Sequence, residues 1–329
     1  MITRPLLSTH NLQVNYPLPG NYPWQNTQYL TAVNNVSISV QPGETLAIVG
    51  ESGCGKSSLA RALIGLIPAS GGQIYWQDQD ITHYSALQHQ QLCKQRQMIF
   101  QDPFSSLNPR MTVGDIIAEP LRYLQPDLTH KEREKRVLAI MERVGLTTEQ
   151  RQRYPHEFSG GQCQRIGIAR ALIVEPKLLI CDEPVSALDV SIQAQIINLL
   201  QSLQQEMPLS IIFITHNLSI AKHIADSILV MYLGKVMEMG QKNLIFNHAK
   251  HPYTQELLKA VPIPNPAIER QKPPVLLKDE IPSPLNPPSG CVFHTRCKLA
   301  IAQCALTTPT LKNMSDTRQI ACLLADDEG

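Results

Sequence analysis

The apolar run Leu46–Val49 leads directly into Gly50-Glu51-Ser52-Gly53-Cys54-Gly55-Lys56-Ser57. From Lys56 onward, Leu59, Leu63 and Leu66 recur at helical spacing until Pro68. This is the tightest constraint in the chain. The pattern G-x-x-x-x-G-K-S/T between a strand and a helix makes a loop whose backbone N–H groups turn inward. The helix N-terminus adds partial positive charge, so the loop forms a cradle for phosphate groups. Lys56 would reach the β- and γ-phosphates of a nucleotide and the Ser57 hydroxyl a Mg2+ ion. A Gly-rich turn arising by chance would share the letters, but not the flanking strand and helix. The fold expected around such a loop is α/β.

Other segments agree. Leu178–Cys181 and Ile211–Ile214 are short continuous apolar runs that predict central parallel strands, with a helix between them carried by Ile192, Ile196, Leu199 and Leu203. Val33–Val40, the turn signal Gln41-Pro42-Gly43-Glu44 and Leu46–Val49 predict strand, turn, strand, and Tyr16–Tyr29, with Pro17, Pro19 and Pro23, predicts a loop. Residues from about 103 to 165 hold helical patterns such as Arg133–Val144 and no long strand run, which predicts a helical insertion. Beyond about 260, prolines from Pro262 to Pro288 predict an extended tail rather than a packed layer. The expected organisation is a nucleotide-binding domain over 1–260 and a C-terminal extension over 261–329.

Bulk properties exclude several classes. The formal net charge is +1, so no electrostatic case for nucleic-acid binding arises. The densest charge run, Lys131–Arg136, mixes both signs and predicts a solvated helix face. No apolar stretch approaches the ~20 residues that cross a bilayer, and Met1–Pro5 begins no signal peptide. A cytoplasmic chain is therefore expected, with its eight cysteines reduced or bound to metal.

Two further constellations carry chemistry. Asp182-Glu183 closes the run 178–181, and a carboxylate pair at the carboxyl end of a parallel strand falls where α/β sheets bind ligands. Asp182 is the candidate Mg2+ carboxylate and Glu183 the candidate that polarises an attacking water; the structural alternative is a carboxylate pair ahead of Pro184. Ser159-Gly160-Gly161-Gln162 opens a helix over Gln162–Val174. By itself S-x-x-Q is a capping box, yet two glycines behind the cap also suit backbone approach to an anion.

These motifs, with Ser186-Ala187-Leu188-Asp189 and Thr215-His216, stand in the order and rough spacing of the ATP-binding-cassette (ABC) family, which residues 6–260 resemble. The resemblance implies a P-loop NTPase fold of ABC type: a mixed sheet core, an antiparallel β subdomain and a helical insertion. It implies catalytic roles for Glu183, for His216 as the histidine that contacts the γ-phosphate, and for Gln101 in a loop that faces membrane subunits. Nucleotide contacts are implied at Tyr16, which stacks on adenine, and at Gly50, Ser52, Gly53, Cys54, Gly55, Lys56, Ser57 and Ser58. They are implied also at Ser159, Gly160, Gly161, Gln162 and Asp189, where Ser159 and Gly161 meet ATP held by a partner cassette. Mg2+ would be held by Ser57, Gln101 and Asp182. An adduct on Cys54 would fill the cradle, so alkylation is expected to inactivate. Phe158 and Cys163 depart from the commonest signature, and the sequence gives Cys163 no role.

Gln101–Arg110, His251–Leu258 and Pro282–Cys291 resemble the oligopeptide, dipeptide and nickel importer branch, most closely the F-type ATPase subunit of dipeptide permeases. That resemblance implies ATP hydrolysis powering import of di- or oligopeptides. The implied partners are a second, different ATPase subunit (a heterodimer), two transmembrane permease subunits and, indirectly, a periplasmic peptide-binding protein. The implied location is the cytoplasmic face of the inner membrane. The alternatives are an ABC ATPase uncoupled from transport, or a clamp that binds ATP without hydrolysing it. Cys291, Cys297, Cys304 and Cys322 are spaced C-x5-C-x6-C-x17-C. Spacing leaves an iron–sulfur cluster, zinc and free thiols open; resemblance to permease ATPases with such tails implies a 4Fe–4S cluster, and His294 stands nearby as either a substitute ligand or a neighbour.

Overall fold

The computed structural model describes residues 4–18, 28–261, 281–315 and 317–325. Their contacts group into two compact units: one built on 40–45 and 83–214, the other on described residues of 6–39, 46–82 and 215–329.

In the second unit, β1 (Leu7–Leu18) pairs antiparallel with β2 (Gln28–Val36). The buried positions of β1 change parity midway. Leu7 and Thr9 point inward, then Leu12 and Val14 do, because Asn11 adopts φ 49° at an irregularity in the ladder. β3 (Ser39–Val40), β5 (Gly71–Trp76) and β6 (Gln79–Asp80) complete this antiparallel sheet. The predicted loop from Tyr16 is thus strand through Leu18; Pro17 is accommodated opposite Tyr29, and residues 19–27 lie outside the described residues.

β4 (Thr45–Val49) leads to α1 (Lys56–Ile64), which ends on Gly65 at φ 86°, its N–H bonded back to the Arg61 and Ala62 carbonyls. That left-handed cap, not Pro68, stops the helix. Leu66 therefore falls past its end and is 58% exposed instead of lying on the apolar face.

In the first unit, β7 (Arg96–Ile99), β8 (Leu178–Asp182) and β9 (Ser210–Thr215) run parallel, and β8 and β9 are buried along their whole length. Continuous apolar strands of this kind need cover on both faces. α2 (Ala86–Cys93) precedes β7, and between β7 and β8 come α3 (Val113–Leu124), α4 (His130–Arg143) and α5 (Gly160–Leu172). α6 (Val190–Glu206) buries Ile196, Ile197, Leu200 and Leu203. The run Lys131–Arg136 lies on α4, whose Thr129–Glu132 capping box fixes its start.

Returning to the second unit, α7 (Leu218–Ile224) is followed by β10 (Ser227–Tyr232), which lies parallel to β4, and then by β11 (Lys235–Gln241), antiparallel to β10. α8 (Lys242–His248) and α9 (Pro252–Lys259) come next. The C-terminal segment departs from the extended tail expected of it. After α10 (Ala302–Leu306), β12 (Lys312–Ser315) and β13 (Arg318–Ile320) form a hairpin that adds β13 to β11. Val292 and Phe293 enter the same core as Val49, Tyr232 and Tyr253. Local proline content concealed this: Val292, Phe293, Ile320 and Ala321 are buried, and three register pairs join β13 to β11. Pro262 to Pro274 lie outside the described residues. Among the described residues no helix is long and apolar enough to cross a membrane.

Candidate active site

β4 delivers the chain to the phosphate loop, and α1 begins at the loop's far end. Ser52 and Gly53 stand exposed at the crest, whereas Lys56 is buried, its ammonium donating to the Gly50 and Glu51 carbonyls at 2.9 Å each. Gly55 caps α1 at φ 104°, and a Cβ there would stand 2.0 Å from the Ala32 carbonyl oxygen. No side chain caps the first turn of α1 and no acidic residue lies in it. An open helix N-terminus behind a buried lysine fits a polyphosphate acceptor, by the helix dipole and the unsatisfied N–H groups together. Tyr16 donates its hydroxyl to Ser58 Oγ at 3.2 Å, which brings its ring to the first turn of α1.

Cys54 corrects one expectation. Its side chain is only 3% exposed, with Sγ 3.9 Å from the Lys56 amine, so the thiol is shielded from reagents. Burial pushes the thiol pKa up, with Lys56 opposing. Native protein treated with iodoacetamide at neutral pH should therefore retain an unmodified Cys54 by peptide mass spectrometry, become labelled only on unfolding, and be insensitive to ATP protection at that residue. Rapid native labelling of Cys54 would contradict this placement. Cys163 now has a role: fully buried on α5, its thiol faces the Pro155 carbonyl at 3.5 Å and burial raises its pKa to about 11. It is a packing residue.

In the other unit the carboxyl ends of the parallel strands gather polar groups. Asp182 is buried as the last residue of β8. Glu183 follows at φ 46°, a left-handed conformation that costs roughly 1–3 kcal/mol in a residue with a Cβ. Its N–H donates to the Ile214 carbonyl at 3.1 Å, which pins the turn to β9, and Gln101 Nε2 donates to its Oε2 at 3.4 Å. The geometry thus joins Gln101 to Glu183. Asp189 is the exposed N-cap residue of α6, and His216 is exposed one residue past β9, in the second unit.

Ser159-Gly160-Gly161-Gln162 satisfies the capping reading in full: Ser159 Oγ accepts from Gln162 N at 3.4 Å, and Gln162 Oε1 accepts from Ser159 N at 3.0 Å. Gly161 also has a packing reason, because a Cβ there would meet Ile192 Cγ2 at 2.5 Å; at Gly160 the nearest atom, on Leu188, would be 3.3 Å away. α5 can approach the start of α6 only across a bare backbone.

Two residues that the sequence left without a role reach the phosphate loop. Tyr253, inside the segment His251–Leu258 valued only for its branch resemblance, accepts the Glu51 N–H on its hydroxyl at 3.1 Å. Arg296 forms an ion pair with Glu51. Spacing gave no signal for either contact. The four tail cysteines gather in the same unit. Cys291 N–H donates to the Cys304 carbonyl at 2.8 Å, and burial pushes the Cys291 and Cys297 thiols up, with Cys304 and Cys322 adding electrostatically. His294 Nδ1 lies 2.8 Å from the Cys291 carbonyl, a backbone contact. Among the described residues, no three His, Cys, Asp or Glu converge as a single-ion metal site.

Comparison with known proteins follows the same outline. A family model described as ABC transporter matches residues 33–186, and one described as Oligopeptide/dipeptide transporter, C-terminal region, matches 237–304. The chain is 55% identical over 320 residues to the oligopeptide transport ATP-binding protein OppF of Haemophilus influenzae, covering 97% of this chain and 96% of that one. It is 46% identical over 328 residues to the dipeptide transport ATP-binding protein DppF of Escherichia coli, covering 99% and 96%. The ATP-binding cassette MJ0796, solved as a dimer in a post-hydrolysis state with ADP and Pi, superposes with TM-score 0.64 at 25% identity, over 72% of this chain and 98% of its own.

Proposed function

Since this chain belongs to the ATP-binding-cassette family, as an ATP-hydrolysing subunit of the oligopeptide/dipeptide transport class, we propose how its residues divide the work and what it assembles with. The phosphate loop, Gly50 to Ser58, holds the ATP phosphates, Lys56 neutralising the terminal groups, and Tyr16 stacks on adenine. Mg2+ would be held by Ser57, Asp182 and Gln101, and when bound it would supply charge neutralisation at the phosphates. Glu183 orients and deprotonates the attacking water, Gln101 aligns the carboxylate, and His216 contacts the γ-phosphate. Gly160, Gln162 and Asp189 contact nucleotide, and Ser159 and Gly161 meet the ATP of a facing cassette, so two ATPase subunits complete each site. The dimeric MJ0796 structure supports that arrangement.

The chain acts at the cytoplasmic face of the inner membrane under two permease subunits, beside a second ATPase of different sequence. A periplasmic peptide-binding protein delivers cargo that this chain never touches. The observation that carries the transport reading is the union of a phosphate-binding cassette with the oligopeptide/dipeptide C-terminal region in one chain. Purification of the tagged protein from native membranes in mild detergent should bring down two polytopic permeases and a distinct ATPase. Recovery of this chain alone or as a homodimer, with full ATPase activity, would contradict the assembly.

The four-cysteine segment is read as the seat of a 4Fe–4S cluster held by Cys291, Cys297, Cys304 and Cys322. That reading rests on the spacing C-x5-C-x6-C-x17-C and on the resemblance to permease ATPases with such tails. The expected role is structural. Anaerobically purified protein should be brown, with about four irons per chain; a colourless preparation with one zinc or no metal would reject the cluster.

A further inference from the structure

Glu51, the second residue of the phosphate loop, is held at four atoms. Its N–H donates to Tyr253 Oη at 3.1 Å and its carbonyl accepts from Lys56 at 2.9 Å. Its carboxylate takes both ends of one guanidinium: Arg296 Nη1 donates to Oε2 at 2.7 Å and Nη2 to Oε1 at 2.9 Å. This fork is sheltered, with the Arg296 side chain 3% exposed and that of Glu51 16%. Tyr232 borders it, accepting from Nη1 at 3.2 Å with its ring 5.6 Å from the cation.

Arg296 belongs to the four-cysteine segment and immediately precedes Cys297. Its N–H and that of Cys297 both donate to the Phe293 carbonyl, and the Phe293 ring packs on Tyr232 and Tyr253 at 5.4 and 5.2 Å. A turn set by the tail is therefore tied, through one planar fork, to the loop that faces the phosphates. A lone buried ion pair is a poor stabiliser beside an apolar pair of the same volume. What a bidentate pair supplies is direction. Here it fixes the plane of the chain where the loop leaves β4.

We propose that Arg296 is a positioning residue for nucleotide binding: through Glu51 it sets the phosphate loop, so that order in the four-cysteine segment determines affinity for ATP. This rests on the reading that residues 50–58 hold the ATP phosphates. The loop then has two supports, the sheet beneath it and the tail behind it. Loss of the second weakens ATP binding without removing any group that touches ATP.

The test measures Mg-ATP affinity by calorimetry, thermal unfolding, and kcat and KM on the purified full-length chain. Arg296→Met and Glu51→Gln should each raise Kd for ATP about 5- to 150-fold, the usual span of energetic coupling between sites. The double variant should be no weaker than the worse single one, because both remove the same link. For Arg296→Met at saturating ATP, kcat should stay within about twofold of wild type, a KM effect rather than a chemical one. Arg296→Lys, which keeps the charge but loses the fork, should fall between. A lowered unfolding midpoint with unchanged ATP affinity, or Kd effects that multiply in the double variant, would overturn the proposal. Should Arg296→Met fail to fold, Arg296→Lys and Glu51→Gln carry the test. Lys56→Ala separates the premise: if it binds ATP normally the site reading fails, and if it loses ATP while the Arg296 and Glu51 variants bind normally, only the positioning role fails.

Discussion

Glu183→Gln should lose about 100- to 10,000-fold in ATP turnover while still binding ATP, the range that a positioned general base contributes. The amide keeps the volume and the hydrogen bond to Gln101, and the backbone bond from Glu183 N–H to Ile214 is untouched. Only basicity is removed. Left-handed backbone at residue 183 is tolerated as well by Gln as by Glu, so the unfolding midpoint should hardly move. ATP then accumulates unhydrolysed and should hold two cassettes together, visible as an ATP-dependent shift in mass by light scattering. Turnover within threefold of wild type would remove Glu183 from the chemistry.

Gly55→Ala should produce the largest structural loss at the site. The added Cβ meets backbone, the Ala32 carbonyl oxygen at 2.0 Å, and no side-chain rotation relieves that; φ at 104° adds strain of its own. The combined cost is about 3–5 kcal/mol, which lowers the unfolding midpoint by roughly 10 °C and abolishes ATP binding. Gly53→Ala is the control. Its φ of 77° is also left-handed, but nothing lies within 4 Å of its added Cβ, so strain alone should cost about 1 kcal/mol. Equal effects of the two substitutions, by thermal unfolding, would show that the contact with Ala32 is not the reason for the glycine.

How much was legible in the sequence follows from what fixed each residue. Lys56, Asp182 and Glu183 stood out because phosphate chemistry admits few residue types and local strands place them. The buried runs of β8 and β9 were readable for the same local reason. One misreading was local, and the others arose where a distant partner decides. Leu66 has helical spacing, but Gly65 ends the helix first. The proline-rich composition near 262–288 said nothing of Phe293, whose burial depends on Tyr232 and Tyr253. Gly161 looked like an anion site and a cap, while its clearance from Ile192 could be seen only once α5 and α6 were placed. Glu51 occupies an unspecified position of the motif, and its partner, Arg296, lies 245 residues away.

That separation has a consequence for biosynthesis. At a translation speed of about 5–20 residues per second, Glu51 is made roughly 12–50 seconds before Arg296, and β10, beside β4, also arrives late. Until β10 is made the nascent loop lacks its neighbouring strand, and for the whole interval it lacks its latch. A partly synthesised chain therefore carries the nucleotide motif without a working cradle, and it gains tight ATP binding only when the four-cysteine segment has emerged and docked.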